Sequence, residues 1–301
     1  MYDKVQVNNS YLHCNPQYGT HTSEYHTYCR NLIVDALEDV QDSINVVLGN
    51  GYPYVDNEFP ICFLDIQLEH TLVKKGGRSV TEVVHGGIPT DDNDTYLVRV
   101  DKFDYYKNLD GVIEYSIPNI LNLQSAHRKD IRDYSKKCKY IAPLVYDEDV
   151  LDSHDRSGAF TLFSIGSSPR RDAFHKNTQI DTYSNIFCKD KLADVYYNKA
   201  VMVNLHQTDH HHTFEELRVL PALSQGLVVI AEESPLKQFI PYSDSIIWAA
   251  LDDIPAIVSD VENNYSHYRN KLITESLRET LQTLRENNKE NIKALICQNT
   301  R

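Results

Sequence analysis

Short apolar runs alternate with amphipathic helical patterns along most of the chain, and this alternation limits the folds that it can adopt. Runs such as "INVVLG", "ICFLDI" and "GVIEYS" have the length of strands and contain β-branched residues. The pattern between "KVQVN" and "INVVLG" predicts a helix that begins at a Thr22 or Ser23 cap. Its apolar residues share one face: Leu32, Ile33, Ala36, Leu37 and Val40. Strands that alternate with helices predict an α/β fold with mostly parallel sheets.

A polar stretch at 146–159 interrupts this pattern, which resumes after it with "FTLFSIGSSPRRDAF". The chain has 301 residues, and chains of this length usually divide into domains with separate hydrophobic cores. We therefore predict an N-terminal domain over 1–148 and a C-terminal domain over 159–260. The charged helical pattern over 261–301 predicts a segment with a long helix that packs back across both domains.

The composition argues against several classes of function. There are 43 Asp and Glu against 30 Lys and Arg, a net charge of −13, which argues against nucleic acid or an anionic membrane as the main partner. The six cysteines contain no CxxC pair, which argues against a zinc ribbon or a redox dithiol. No signal-peptide pattern and no transmembrane-length apolar run is visible. We expect a soluble cytoplasmic protein, in the host cytoplasm if it is viral.

The stretch "HQTDHHHTFEELRVLPALSQGLVVI", residues 206–230, follows the apolar strand pattern "VMVNLH". We predict a helix that starts at 212–213, with Thr213 as N-cap and Glu216 as its capping-box partner. Ligands of open parallel sheets bind at the carboxyl ends of strands, where helix N-termini favour anions such as phosphate. Glu216 therefore has two interpretations, a capping residue or an acceptor for the two hydroxyl groups of a ribose. Arg218 is either a surface residue or an ion-pair partner of Glu215.

The four histidines in this stretch raise the alternative of a metal site. Adjacent residues such as His210, His211 and His212 point in different directions, and the HEXXH pattern is missing. His206 and His210 are four apart, but in a setting that is not helical. We predict no metal here. The alternative function is a metal-dependent hydrolase or oxygenase that uses these histidines with Asp209.

Two parts of the chain resemble the GT-B glycosyltransferases. "FTLFSIGSSPRRDAF", with the later "KLADVYYNKAVMVNLHQTDHHHTFEELRVLPALSQGLVVIAEES", looks like their donor-binding half. "ICFLDIQLEHTLVKKGGR" and "DGVIEYSIPNILNL" resemble the acceptor-side domain of small viral and bacterial members, among them large-virus capsid glycan transferases. The resemblance implies two Rossmann-like domains that face a cleft. It also implies transfer of a sugar from a nucleotide-sugar donor to an oligosaccharide or glycoprotein, without a cofactor and with a UDP-sugar as the default donor.

The resemblance also implies roles for residues of the C-terminal domain. A Gly/Ser turn lets the backbone approach a diphosphate, an arginine clamps its oxygens, and Glu216 binds the ribose. The nucleobase is expected near 185–188. The implied donor-binding residues are Gly166, Ser167, Arg171, His206, His212, Thr213 and Glu216.

The chain departs from the family pattern at two points. Retaining members carry two glutamates eight positions apart, whereas Thr208 and Gln207 stand eight positions before Glu216 and Glu215. Pro221 occupies a position where many relatives have a residue that suits a helix. The missing pair favours an inverting enzyme.

Inversion needs a base that takes the proton of the acceptor hydroxyl, and we expect it in the N-terminal domain. Asp65, Glu69 and His70 follow the apolar run "ICFL", near the carboxyl end of a predicted strand. Glu69 is the first choice and His70 the second, with His21 and His26 as alternatives. Glu69 alternatively forms a salt bridge with Lys74 or Lys75.

The segment "TDDNDTY" resembles the metal-binding DxD of the other large glycosyltransferase fold. Asp and Asn also favour polar turns, and this is our interpretation of Asp91, Asp92 and Asp94. GT-B enzymes generally need no metal, so we predict none. A third hypothesis is a non-catalytic module that binds nucleotide sugars without turnover.

Overall fold

The computed structural model describes residues 3–14, 22–49, 59–74, 87–89, 95–126, 128–151, 155–163, 168–184, 186, 188–210 and 212–297. The chain divides into two compact units. Unit 1 consists of Met1–Gly19, Tyr25–Ala142 and Leu284–Arg301. Unit 2 consists of Thr20–Glu24 and Pro143–Thr283. The domain boundaries predicted from the sequence stay predictions.

Unit 1 is built on a six-stranded sheet and a smaller three-stranded sheet. Its elements are β1 (Asp3–Val7), β2 (Ser10–Cys14), α1 (Ser23–Asp39), β3 (Asn45–Leu48), β4 (Ile61–Gln67), β5 (His70–Lys74), β6 (Gly87–Pro89), β7 (Thr95–Val100), α2 (Phe103–Tyr106), β8 (Gly111–Glu114), α3 (Ile117–Gln124), α4 (Lys129–Ser135) and β9 (Cys138–Tyr140). The larger sheet has the order β1-β2-β3-β4-β8-β9, in which every pair except β1–β2 is parallel. The smaller sheet, β5-β7-β6, is antiparallel.

The first helix forms as its pattern predicts. α1 begins at Ser23 and buries the predicted residues 32, 33, 36 and 37, while Val40 lies beyond its end and is half-buried. Spacings of three and four residues place these side chains on one helical face, and their burial removes apolar surface from water.

Unit 2 contains a five-stranded sheet in the order β11-β10-β12-β13-β14, with all neighbours parallel. Its elements are β10 (Ala159–Phe163), α5 (Pro169–Lys176), β11 (Asp181–Ser184), α6 (Lys189–Asn198), β12 (Val201–Asn204), α7 (Glu216–Ser224), β13 (Val228–Glu232), β14 (Ile246–Ala249), α8 (Ile254–Asn263), α9 (Tyr265–Leu272) and the start of α10 (Glu275–Cys297). Every residue of β10, β12 and β13 is buried, as expected for parallel strands covered on both faces. The prediction of an α/β fold with mostly parallel sheets is confirmed.

The predicted start of α7 is wrong. The helix begins at Glu216, and neither Thr213 nor its N-terminal neighbour is helical. Two contacts hold the preceding segment in a non-helical path. The buried Phe214 ring packs against Trp248, with 4.9 Å between ring centroids, and Ser234 Oγ donates to the His212 carbonyl at 2.8 Å. Thr213 is therefore not an N-cap, and the capping-box interpretation of Glu216 falls with it.

The C-terminal region is helical, as predicted. α8, α9 and the 23-residue α10 fill most of 254–297. The residues of α10 up to Thr283 belong to unit 2 and those from Leu284 onward to unit 1. Among the residues that the structure describes, no helix is long and apolar enough to cross a membrane.

Candidate functional site

Charged side chains of unit 2 gather at the carboxyl edge of its sheet. The neighbouring parallel strands β10, β12 and β13 end at Phe163, Asn204 and Glu232, so the segments that follow them start at one edge. α5 follows β10, and the segment 205–215 and then α7 follow β12. This edge is where ligands bind in open α/β sheets.

Arg171, in the first turn of α5, is the most deeply buried cation of this edge, with 5% of its surface exposed. Its Nη2 donates to the Leu205 carbonyl at 2.8 Å, and its guanidinium lies 4.0 Å from the Phe163 ring centroid. Its buried Nε–H has no acceptor among the described residues. Burial and then the charge of Arg218 lower the pKa of Arg171 to about 9, which leaves it cationic at neutral pH. Arg171 is thus a buried cation with an unused hydrogen-bond donor.

Arg218, in the first turn of α7, comes to the same edge. Its Nη1 donates to the carbonyl of Leu162 in β10 at 2.9 Å, and its Nη2 lies 3.4 Å from Glu215 Oε2. The ion-pair interpretation of Arg218 is therefore confirmed. However, its side chain is only 11% exposed, so it is not an ordinary surface residue.

Arg170 and Glu232 form an ion pair that the sequence analysis did not identify. Arg170 donates through both Nη atoms to Glu232, and through Nε to Asp209 at 2.6 Å. Glu232 also accepts the backbone N–H of His206 at 2.9 Å. Burial raises the pKa of Glu232, but the opposing hydrogen bonds and charges of Arg170 and His206 leave it below its usual value. The available signals were the first arginine of "PRR" and the glutamate that ends "VVIAE".

The rings of His206 and His212 contact main-chain carbonyls. His206 is buried, and its Nε2 donates to the Glu233 carbonyl at 2.9 Å, while His212 Nε2 lies 3.2 Å from the Asp209 carbonyl. Burial lowers the pKa of His206, so its ring is neutral at neutral pH. The two rings lie 5.3 Å apart. Within the described ranges no three His, Cys, Asp or Glu side chains are placed to hold a metal. His211 lies outside those ranges.

Ser168 joins the start of α5 to the segment after β12. Its Oγ accepts the N–H of Arg171 at 3.3 Å and donates to the Gln207 carbonyl at 2.6 Å. The structure thus brings Arg171, His206 and His212 together. Gly166 and Ser167 lie outside the described residues, as do positions 185 and 187 of the expected nucleobase segment.

Glu216 has no exposed surface, and its Oε2 accepts a hydrogen bond from the Tyr242 hydroxyl at 2.7 Å. Thr213 is buried nearby in the chain. In this arrangement Glu216 links the start of α7 to the segment that contains Tyr242. Its ribose-binding role stays a prediction, and a ribose hydroxyl that binds Oε2 competes with the Tyr242 hydroxyl for that oxygen.

The three base candidates of unit 1 differ in exposure. Asp65 is buried in β4, where it accepts hydrogen bonds from the Ile66 N–H at 2.8 Å and the Tyr105 hydroxyl at 3.0 Å. Glu69, between β4 and β5, is exposed. A base must reach the acceptor hydroxyl, so exposure favours Glu69 over Asp65.

His70 lies in a buried hydrogen-bonded network. Its Nδ1 contacts Glu114, and its Nε2 lies 3.0 Å from the Tyr134 hydroxyl. Glu114 also accepts the Ser116 N–H and the Asn119 amide, both at 3.0 Å. With both ring nitrogens engaged, His70 is placed to position its neighbours, and its role as a base stays a prediction.

Of the two alternative bases, the structure describes His26 but not His21. His26 is buried, and burial lowers its pKa to about 4. His21, Lys75 and the three aspartates of "TDDNDTY" lie outside the described residues.

Comparisons with known proteins bear on the fold. No protein-family model matches the chain. An uncharacterized protein of Acanthamoeba polyphaga mimivirus is 25% identical over an alignment of 195 residues that covers 59% of this chain and 65% of that protein. The crystal structure of TarM matches 90% of this chain and 57% of TarM, with a TM-score of 0.50 and 13% identity. The fold is similar to that of a GT-B glycosyltransferase.

A second structure, of the GtfA/B complex bound to UDP and GlcNAc, covers 87% of this chain and 51% of that one at 10% identity. Its TM-score of 0.25 is too low to support an argument. The chain spans less than two thirds of the length of each of these relatives. At these identities the likeness to TarM shows the fold alone.

Proposed function

We propose that the chain is a glycosyltransferase that moves a sugar from a nucleotide-sugar donor to an oligosaccharide or glycoprotein acceptor. The observation that carries this proposal is Arg171, a buried cation at the carboxyl edge of a parallel sheet whose Nε–H has no acceptor among the described residues. A diphosphate supplies the negative charge and the acceptor oxygens that such a cation lacks. The similarity of the fold to TarM supports the class of reaction. A UDP-sugar is the default donor.

Unit 2 is proposed as the donor side. Arg171 and the start of α5 bind the diphosphate, where Gly166 and Ser167 also belong by the resemblance. His206, His212 and Thr213 line the rim of the same site, and Glu216 binds the ribose. As the bond to the sugar breaks, the diphosphate gains negative charge, which Arg171 stabilises.

The proposed chemistry is one displacement with inversion and without a metal. An acceptor hydroxyl oxygen bonds to the anomeric carbon, and the bond from that carbon to the diphosphate oxygen breaks, with its electron pair leaving on the diphosphate. Glu69 takes the hydroxyl proton. Support comes from the exposure of Glu69 and from the missing glutamate pair.

Calorimetric titration with nucleoside diphosphates and nucleotide sugars, with and without EDTA, tests the proposal. Wild type should bind one nucleotide whether or not EDTA is present, and Arg171→Gln should lose most of that affinity. Arg278→Gln is the matched control, since Arg278 belongs to unit 2 and is 48% exposed. It should bind like wild type.

Three results would contradict parts of this proposal. If wild type binds no nucleotide, the proposed donor site is wrong. Binding that EDTA abolishes would overturn metal independence. Donor binding without turnover, whatever acceptor is offered, would favour a non-catalytic module.

A further inference from the structure

The geometry points to Arg218 as a second phosphate-binding cation, whose resident counter-ion, Glu215, is exchanged for the diphosphate when the donor binds. This inference rests on the proposed function and extends it. It adds a residue of α7 to the site and explains how the site would distinguish a diphosphate from a monophosphate.

The two arginines are anchored on neighbouring strands. Arg171 donates to the carbonyl of Leu205, just beyond β12, and Arg218 donates to the carbonyl of Leu162 in β10. β10 and β12 are paired in parallel, with Thr161 opposite Val203. Adjacent strands lie about 5 Å apart, so both guanidinium groups are fixed at one small region of the sheet edge. Each is held by a main-chain acceptor that stays in place when a ligand binds.

Arg171 and Arg218 carry more positive charge than the carboxylates paired with them. Glu232 and Asp209 are both hydrogen-bonded to Arg170. Among the described residues, the carboxylate that is ion-paired with Arg171 or Arg218 is Glu215, which leaves two cations against one carboxylate. A buried surplus of positive charge is costly unless an anion neutralises it, which makes this a place for an anionic ligand.

Glu215 is a weakly held counter-ion. Its nearest contact with Arg218 is 3.4 Å, longer than a charge-assisted hydrogen bond, and its side chain is 31% exposed. It precedes α7 in a non-helical conformation and makes no side-chain capping bond. A phosphate oxygen therefore replaces Glu215 at Arg218 at little cost, while the hydrogen bond to Leu162 remains.

Two anchored cations suit two linked phosphates. A nucleoside monophosphate needs only Arg171 and leaves Glu215 on Arg218. A nucleoside diphosphate places its second phosphate on Arg218 and displaces Glu215. Loss of Arg218 should then affect diphosphates selectively, whereas loss of Arg171 should affect both ligands.

The test is calorimetric titration of wild type, Arg218→Gln, Glu215→Gln and the control Arg278→Gln with UMP and UDP, and with the adenosine, guanosine and cytidine pairs. We compare the nucleotides of the nucleobase that wild type recognises. Arg218→Gln should weaken binding of the diphosphate by roughly ten- to a hundredfold, the usual range for a charge-assisted hydrogen bond. Binding of the monophosphate, which does not contact Arg218, should change by less than about threefold. Glu215→Gln should bind the diphosphate more tightly.

The outcomes separate the two proposals. If wild type binds no diphosphate, the proposed function and this inference both fail. If wild type binds and Arg218→Gln weakens both ligands equally or neither, only the inference fails. Thermal unfolding checks that Arg218→Gln is folded. If it is not, Glu215→Gln decides: tighter diphosphate binding supports the exchange, and unchanged or weaker binding overturns it.

Discussion

Tyr242→Phe tests whether Glu216 binds a ligand or only stabilises the start of α7. Tyr242 is 2% exposed and donates its hydroxyl to the fully buried Glu216 at 2.7 Å. We expect a ribose hydroxyl that binds this oxygen to replace the Tyr242 hydroxyl. The substitution removes that competitor and leaves the carboxyl group in place.

The magnitude follows from one buried hydrogen bond. A buried hydrogen bond to a carboxylate is worth about 2 kcal/mol. Tyr242→Phe should therefore lower the free energy of unfolding by about 2 kcal/mol. The same energy no longer opposes the ribose, so affinity for the nucleotide should rise by about 30-fold.

Urea unfolding measures the stability, and calorimetric titration measures the affinity for the nucleotide that wild type binds. Tyr25→Phe is the matched control. Tyr25 is equally buried and donates to the Ile141 carbonyl at 2.7 Å, but it lies in unit 1. It should lose stability with no change in affinity. If Tyr242→Phe loses stability and its nucleotide affinity is unchanged or lower, Glu216 is a structural anchor and the ribose assignment is wrong.

Three further predictions concern catalysis and stability. Glu69→Gln should bind the donor like wild type but slow sugar transfer by about 10²–10⁴-fold, the usual contribution of a general base. An unchanged rate in a transfer assay would exclude Glu69 as the base. Glu232→Gln should lower the free energy of unfolding by about 2 kcal/mol, since it removes the charged acceptor to which both Nη atoms of Arg170 donate; urea unfolding at neutral pH measures this. His26 has a pKa of about 4 in the folded protein against 6.5 as its reference. The unfolded chain takes up the proton first as the pH falls. Acidification from pH 6.5 to 4 should therefore lower the free energy of unfolding of wild type by about 3 kcal/mol more than that of His26→Gln. Equal acid sensitivity of the two proteins would contradict this.

The sequence predicts the elements of this fold better than its charged contacts, for a physical reason. Periodicity reports which face of one element is buried, and α1 and the buried strands of unit 2 follow it directly. The Arg170–Glu232 pair joins residues 62 positions apart, and the His70–Glu114 contact joins residues 44 apart. Such contacts depend on which strands become neighbours, and no local pattern encodes that.

The start of α7 shows the same limit on a smaller scale. The local signal around Thr213 was sound as capping chemistry. It was overridden by the burial of Phe214 against Trp248, which lies 34 positions further along the chain. The later start places Glu215 just before the helix, beside Arg218, where it serves as the counter-ion.

The location of these arginines also resolves an apparent conflict with the overall charge. At a net charge of −13, the chain as a whole repels an anionic donor. Exposed carboxylates are screened within about 10 Å at ordinary ionic strength, so their repulsion at any one point is weak. Arg171 and Arg218 are buried or nearly so, and their fields are screened far less. An acidic protein therefore keeps a cationic edge on one sheet, and burial of the arginines, rather than their number, makes that edge suited to a diphosphate.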